Sequence, residues 1–162
     1  MSTCWTWTDS PLGRVLLTSD GLALTGVYFA DQKYFPQPAP AGKETPQAEP
    51  FPDAVRQLDE YFAGSRRVFD LPLAPRGTAF QHAVWHAIAA IPPGETVGYG
   101  TLAQRLARPK AARAVGAATG RNPLSVVVPC HRVVGAAGQL TGYAGGLARK
   151  RALLALEGGQ RC

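Results

Sequence analysis

Strand signals fill the first part of this chain and helix signals fill the second, and the change falls near Ala74–Gly77, "APRG". Up to about residue 35, Trp5 and Trp7 alternate with Thr6 and Thr8, and "DSPLG" (Asp9–Gly13) is a turn. The runs "RVLLT" and "LALTGVYF" follow, separated by Ser19, Asp20 and Gly21, a strong hairpin signal. After the boundary, Thr78 and Gln81 form a capping-box pattern that opens a helix expected to run through Ile91, where "PPG" ends it. Short helices are expected at Thr101–Ala107 and Lys110–Thr119, joined by "RP". So brief a connection suggests a helix-turn-helix or winged-helix unit. The expected fold is α+β, with a small β-sheet domain over residues 1–75 and a helical domain over residues 76–162.

The remaining segments read less sharply. Six prolines between Pro36 and Pro52 mark a loop expected to contribute little packing. Asp53 is placed to cap a helix to Phe62, with Val55, Leu58, Tyr61 and Phe62 on one face and Gly64 as its stop. "RVFDLPL" predicts one more strand. A strand at Val126–Val128, a loop to Gly146 and a last helix from Gly146 to Leu156 complete the chain.

The formal charge of +6 conceals an asymmetry. Residues 1–75 carry 6 Lys/Arg and 9 Asp/Glu, a net of −3, whereas residues 76–162 carry 11 and 2, a net of +9. That is the electrostatic footprint of a polyanion partner, nucleic acid before membrane. No apolar run approaches the ~20 residues of a membrane span. The opening residues lack a basic segment followed by an apolar block, so a cytoplasmic location is expected. Three widely separated cysteines, Cys4, Cys130 and Cys162, argue against a disulfide scaffold and against a zinc site built from cysteines.

The helix "PKAARAVGAATG" carries Ala111, Ala112, Ala114, Gly116 and Ala117, with almost nothing able to read base edges. Such a face permits close approach to a narrow groove, with affinity from phosphate and backbone contacts. Arg113 stands alone among these small residues, either aimed at DNA or merely exposed beside a helix-packing face. Tyr99, just ahead of the first short helix, serves either the core or a phosphate.

"VVVPCHRVVG" (Val126–Gly135) sets Cys130 beside His131. Cys130 reads as a core filler, a metal ligand, a nucleophile that turns over, or one used once. A thiolate forms more readily beside a histidine. In a strand, however, adjacent side chains point oppositely, so contact needs a turn at Pro129–His131 or a bridging water. A histidine acting as base also needs an orienting partner, and the second half offers only Glu95 or Glu157. His82 and His86 stand four residues apart, but Ala83 replaces the glutamate a metalloprotease needs, so both are expected to be ordinary helix residues.

Taken together, "PCHRVVG", "PKAARAVG", "GRNP", "GETVGYGTLA" and "TGYAGGLARKRALLALEG" closely resemble the O6-alkylguanine-DNA alkyltransferases, over about Phe80–Gly158. "DSPLGRVLL" and "LDEYFAG" extend the likeness weakly into the first half. The resemblance implies an RNase H-like N-terminal sheet and a winged-helix-like DNA-binding domain. It implies direct reversal of damage, in which an O6-alkylguanine (less readily an O4-alkylthymine) is flipped from double-stranded DNA and its alkyl group moves irreversibly to Cys130. His131 would act through a water, Glu157 would orient His131, Asn122 would brace the turn before the active-site strand, and Tyr99 would meet the 3′ phosphate and supply a proton. Arg113 would fill the space left by the flipped base, with Ala111, Ala112, Ala114, Gly116, Thr101 and Gln104 against the minor groove, largely without sequence preference. Val133, Tyr143, Ala144, Gly145, Gly146 and Ser125 would line the pocket.

A monomer that needs no cofactor is expected, with cooperative binding on DNA left open. Some relatives hold zinc in the first half, but only Cys4 of such a set is visible here, so no metal is expected. Some relatives carry serine where Ala144 stands, so any contact to O6 there would come from backbone amides; others carry a second proline where Ser125 stands, and a less rigid, roomier pocket is expected. A non-catalytic lesion-binding relative would have another residue at position 130, and a winged-helix regulator would need base-reading side chains.

Overall fold

The computed structural model describes residues 3–37 and 40–159; Cys162 lies outside them. Three antiparallel strands, β1 (Cys4–Thr8), β2 (Val15–Ser19) and β3 (Leu24–Phe29), form a sheet in the order β1-β2-β3. Trp7 pairs with Leu16 and Leu17 with Val27, and every residue of β2 is buried. At the β2–β3 turn the Asp20 carboxylate accepts from the amides of Leu22 and Ala23, as the hairpin signal requires.

Beyond β3 the sheet is finished by pieces that are not strands. "RVFDLPL" makes a single parallel bridge, Leu24 with Leu73, because Pro72 and Pro75 have no amide hydrogen with which to continue a ladder. A second bridge joins Val27 to Leu124, so the other half of the chain also docks on β3. The proline-rich segment, expected to pack little, lies along β1: Glu44 accepts from the Thr6 hydroxyl and the Trp7 amide, and Thr45 donates to the Trp5 carbonyl.

Helix α1 (Phe51–Phe62) begins two residues before the expected Asp53, which sits in its first turn bonded to Arg56 and Gln57 rather than at the cap. Its buried face is Phe51, Ala54, Gln57, Leu58 and Tyr61, while Val55 and Phe62 are only half-buried. Gly64 ends it at φ +83°, a conformation glycine adopts without penalty.

Helix α2 (Ala79–Ala89) opens on the complete Thr78–Gln81 capping box and stops two residues short of Ile91. Its Trp85 donates through the indole to the Ala118 carbonyl at 2.8 Å, fixing α2 to the helix pair that follows. That pair is α3 (Tyr99–Arg105) and α4 (Ala112–Gly120), each displaced a turn or less from expectation and packed on one another. A two-stranded parallel ladder joins β4 (Val97–Gly98) to β5 (Val133–Val134), and α5 (Leu147–Gly159) closes the described chain, ending three residues later than expected. One continuous apolar core runs from β2 and β3 through α1 and α2 to Leu153 of α5. Among the described residues no helix is long and apolar enough to cross a membrane.

Candidate active site

The strand expected at Val126–Val128 is instead a chain of tight turns. Asn122 causes it. Its side-chain oxygen accepts from the Leu124 amide and its NH2 donates to the Val128 carbonyl, each at 2.9 Å, while the Val128 amide returns to the Leu124 carbonyl. These bonds consume the groups a ladder would use and force Val126 to φ +72°, overriding β-branched propensity. The chain then enters a single 3-10 turn, Cys130–Arg132, whose three side chains are buried. This turn, rather than a strand end, presents Cys130.

His131 is fully buried, and its Nε2 lies 2.8 Å from Oε2 of Glu157. Of the two carboxylates the sequence left open, the structure brings Glu157 to the imidazole, from the far end of α5. Arg132 grips the same carboxylate with Nε on Oε1 at 2.9 Å and a terminal nitrogen on Oε2 at 2.8 Å. Tyr61 of α1 donates its hydroxyl to Oε2 at 2.6 Å. Burial opposes the charge on Glu157, but the donors from His131, Arg132 and Tyr61 outweigh it and hold the carboxyl far below the usual range. With Glu157 ionised, Nε2 carries the proton and donates it. Nδ1 is then a bare acceptor, buried and without a partner among the described residues.

Burial lowers the pKa of His131, with Glu157 opposing, so the imidazole is held as a base. Burial also pushes the Cys130 thiol up to about 11, against the Asn122 amide and the Lys150 charge. The resting site is therefore thiol and neutral imidazole. Lys150, fully buried, donates to the carbonyls of Val133 at 2.6 Å and Thr141 at 2.7 Å, tying β5 to the loop before α5.

A cleft of about 350 Å³ opens beside this core between α4 and the loop, lined by Tyr99, Gly116, Ala117, Tyr143, Ala144 and Tyr34, among others. Tyr143 sits edge-on to the His131 ring, with centroids 6.4 Å apart. Gly145 is required there, since a Cβ would lie 2.7 Å from the Tyr143 ring and 3.2 Å from that of Phe29. Gly146 turns the chain into α5 at φ +93°. Ala144 accepts from the Lys33 amide at 2.8 Å, so the first half clamps the loop. Ser125 is buried and donates to the Gln32 side chain at 3.0 Å, an anchor to the first half.

On the outer face of α4, Arg113, Ala114 and Ala117 are exposed, Ala111, Ala112 and Gly116 half-buried, and Thr101 and Gln104 of α3 exposed. His82 and His86 are exposed on α2, distant in role from this array, and no group of three potential metal ligands occurs among the described residues.

The sequence assigns no site role to Tyr61, Arg132, Lys150 or Tyr34. Lys150, Leu153 and Glu157 do share one face of α5 by their spacing, which marks a charged pair on a buried stripe. Tyr34 bears no such mark. It stands at φ +62° with the Arg121 guanidinium 3.7 Å from its ring centroid.

Fold and site together define a class: an α+β protein with a buried thiol–imidazole–carboxylate array set beside a cation-bearing pair of short helices. Comparison with known proteins narrows it. The model of the 6-O-methylguanine DNA methyltransferase DNA binding domain matches residues 79–159, and that of the ribonuclease-like domain matches residues 3–75. The Mycobacterium tuberculosis methylated-DNA–protein-cysteine methyltransferase is 50% identical over 149 residues, 92% of this chain and 88% of that protein. The Methanosarcina acetivorans protein of that name is 49% identical over 150 residues, 93% of this chain and 95% of its own. The crystal structure of Mycobacterium tuberculosis O6-methylguanine methyltransferase matches with a TM-score of 0.85 at 46% identity, over 98% of this chain and 94% of that one. A structure of the same enzyme in complex with DNA matches with the same TM-score, over 96% and 93%. The chain belongs to the O6-methylguanine DNA methyltransferase family.

Proposed function

We propose that this protein repairs DNA by direct reversal, moving the methyl group of O6-methylguanine irreversibly to the sulfur of Cys130. The observation that carries the assignment is His131, with Nε2 donating to an ionised Glu157 and Nδ1 left as a buried acceptor. That arrangement suits a base acting on Cys130 through a bridging water. The thiolate attacks the methyl carbon, the carbon–oxygen bond breaks, its electron pair passes to O6, and guanine takes a proton, for which Tyr99 is the candidate donor. The product is a thioether, which no base can cleave back to a thiol, so each molecule acts once. A reducing, cytoplasmic setting agrees with an acceptor that must stay a free thiol.

Tyr143, Val133 and the Ala144–Gly146 loop would line the base pocket, where Ala144 leaves only backbone groups to meet O6. Asn122 would hold the turn that aims Cys130. Ser125 would act through its hold on Gln32. Recognition would be of the minor groove of duplex DNA by a helix-turn-helix, with the target base flipped. The small residues Ala111, Ala112, Ala114 and Gly116 would allow close approach, Thr101 and Gln104 would flank them, and Arg113 would occupy the vacated stack. The protein is expected to act as a monomer, without metal or cofactor.

Incubation with a duplex carrying labelled O6-methylguanine, followed by mass analysis, tests the central step. One methyl on Cys130, absent in Cys130→Ala, is the expected result; unmodified protein and intact lesion would overturn it. Arg113→Ala should slow repair in duplex DNA while sparing reaction with the free base, and equal losses on both would remove Arg113 from the flipping role.

A further inference from the structure

We infer that Tyr61, contributed by the first half of the chain, is a positioning residue of the relay, whose hydroxyl sets how strongly Glu157 holds His131. The inference rests on the methyl-transfer reading above and deepens it. Tyr61 is separated from Glu157 by 96 residues in sequence, yet its hydroxyl is 2.6 Å from Oε2. That oxygen also takes His131 at 2.8 Å and Arg132 at 2.8 Å, whereas Oε1 takes one bond from Arg132.

Packing alone does not call for the hydroxyl. The Tyr61 ring is fully buried against Phe62 and Phe69, with centroids 5.3 and 5.2 Å away, and a phenylalanine would fill that space. A hydroxyl taken into the core is costly unless it is bonded, and its bond here is to the carboxylate that orients the proposed base. Donors on one oxygen share its charge. Each bond from Tyr61 or Arg132 therefore reduces what Oε2 offers to a protonated His131 and keeps the imidazole a free base.

The groups facing this pair come from four elements: Tyr61 of α1; Cys130 and Arg132 of the 3-10 turn; Tyr143 of the loop; and Lys150 of α5. Arg132 and Lys150 both disfavour a second positive charge on His131, and both remain when Tyr61 is changed. Removing the Tyr61 hydroxyl concentrates charge on Oε2, favours the imidazolium and raises the pH at which His131 becomes a base.

The test is Tyr61→Phe in the full chain, read by nitrogen-15 NMR titration of the His131 ring and by the pH profile of methyl transfer from an O6-methylguanine duplex. Both the titration midpoint and the acid limb should move up by about half a pH unit or more. Replacing Tyr61 with 3-fluorotyrosine, a stronger donor, should move both down. A lowered melting temperature with an unmoved His131 midpoint in either variant would make Tyr61 a packing residue and overturn the inference. The NMR midpoint needs no turnover, so failure of the wild type to methylate Cys130 would overturn the methyl-transfer reading while the titration still judges Tyr61.

Discussion

Glu157 accepts four hydrogen bonds from three side chains, Tyr61, His131 and Arg132, and only Arg132 brings a fixed positive charge. Glu157→Gln would leave that guanidinium buried without a counter-charge, a change that typically costs about 3–5 kcal/mol. It should also slow methyl transfer roughly 100-fold or more by removing the partner that orients the base. Urea unfolding and single-turnover kinetics would register the two losses separately. Val126 offers a different residue-scale prediction, because its left-handed backbone suits glycine and its buried side chain does not. Val126→Gly should therefore cost about 1–3 kcal/mol less than Val128→Gly, where burial is lost with no strain relieved. Equal losses in denaturant midpoint would contradict that reading. In the sequence the valine run reads as a strand, and nothing marks Arg132 as a buried partner of Glu157.

At the scale of elements, agreement was best where local chemistry is self-sufficient. The capping box of α2 satisfies its own first-turn amides, so "TAFQ" announces a helix whatever surrounds it. Thr78→Ala should cost about 1 kcal/mol and lower the melting temperature by about 2–4 °C, measurable by calorimetry, with methyl transfer little changed. The β1–β2–β3 meander was equally plain, since a bonded Asp20 turn fixes its central hairpin. Elements decided by side-chain or tertiary partners were not. Residues 67–73 were expected to be a strand and make only one bridge, and Val126–Val128 gave way to turns organised by Asn122. The proline-rich segment packs on β1 through Glu44, a contact no local pattern announces.

Across the whole molecule, the site couples proton binding to stability on both sides of neutrality. His131 and Glu157 bind protons less readily folded than unfolded, so the unfolded chain takes up more protons as the pH falls. Stability should decline on acidification from about pH 6.5, the ordinary histidine value, and further near 4.3, that of glutamate. Cys130 has the opposite sign. Its thiol is pushed up to about 11, so the unfolded chain loses that proton first and stability should decline above about pH 8.5. Urea midpoints measured across pH should show both limbs, and the first part of the alkaline limb should vanish in Cys130→Ala and in methylated protein. By itself the sequence determined that the chain is α+β, that its positive charge lies in one half, and that Cys130, His131 and Arg113 stand in the pattern of this family. Those properties reside in composition, caps, turns and short motifs. Only the tertiary structure gave the first half its place at the site, through Tyr61 on Glu157, Gln32 on Ser125 and Lys33 on Ala144. The reason is physical: a buried polar group must find its partner in space, and nothing in local sequence names a partner 96 residues away.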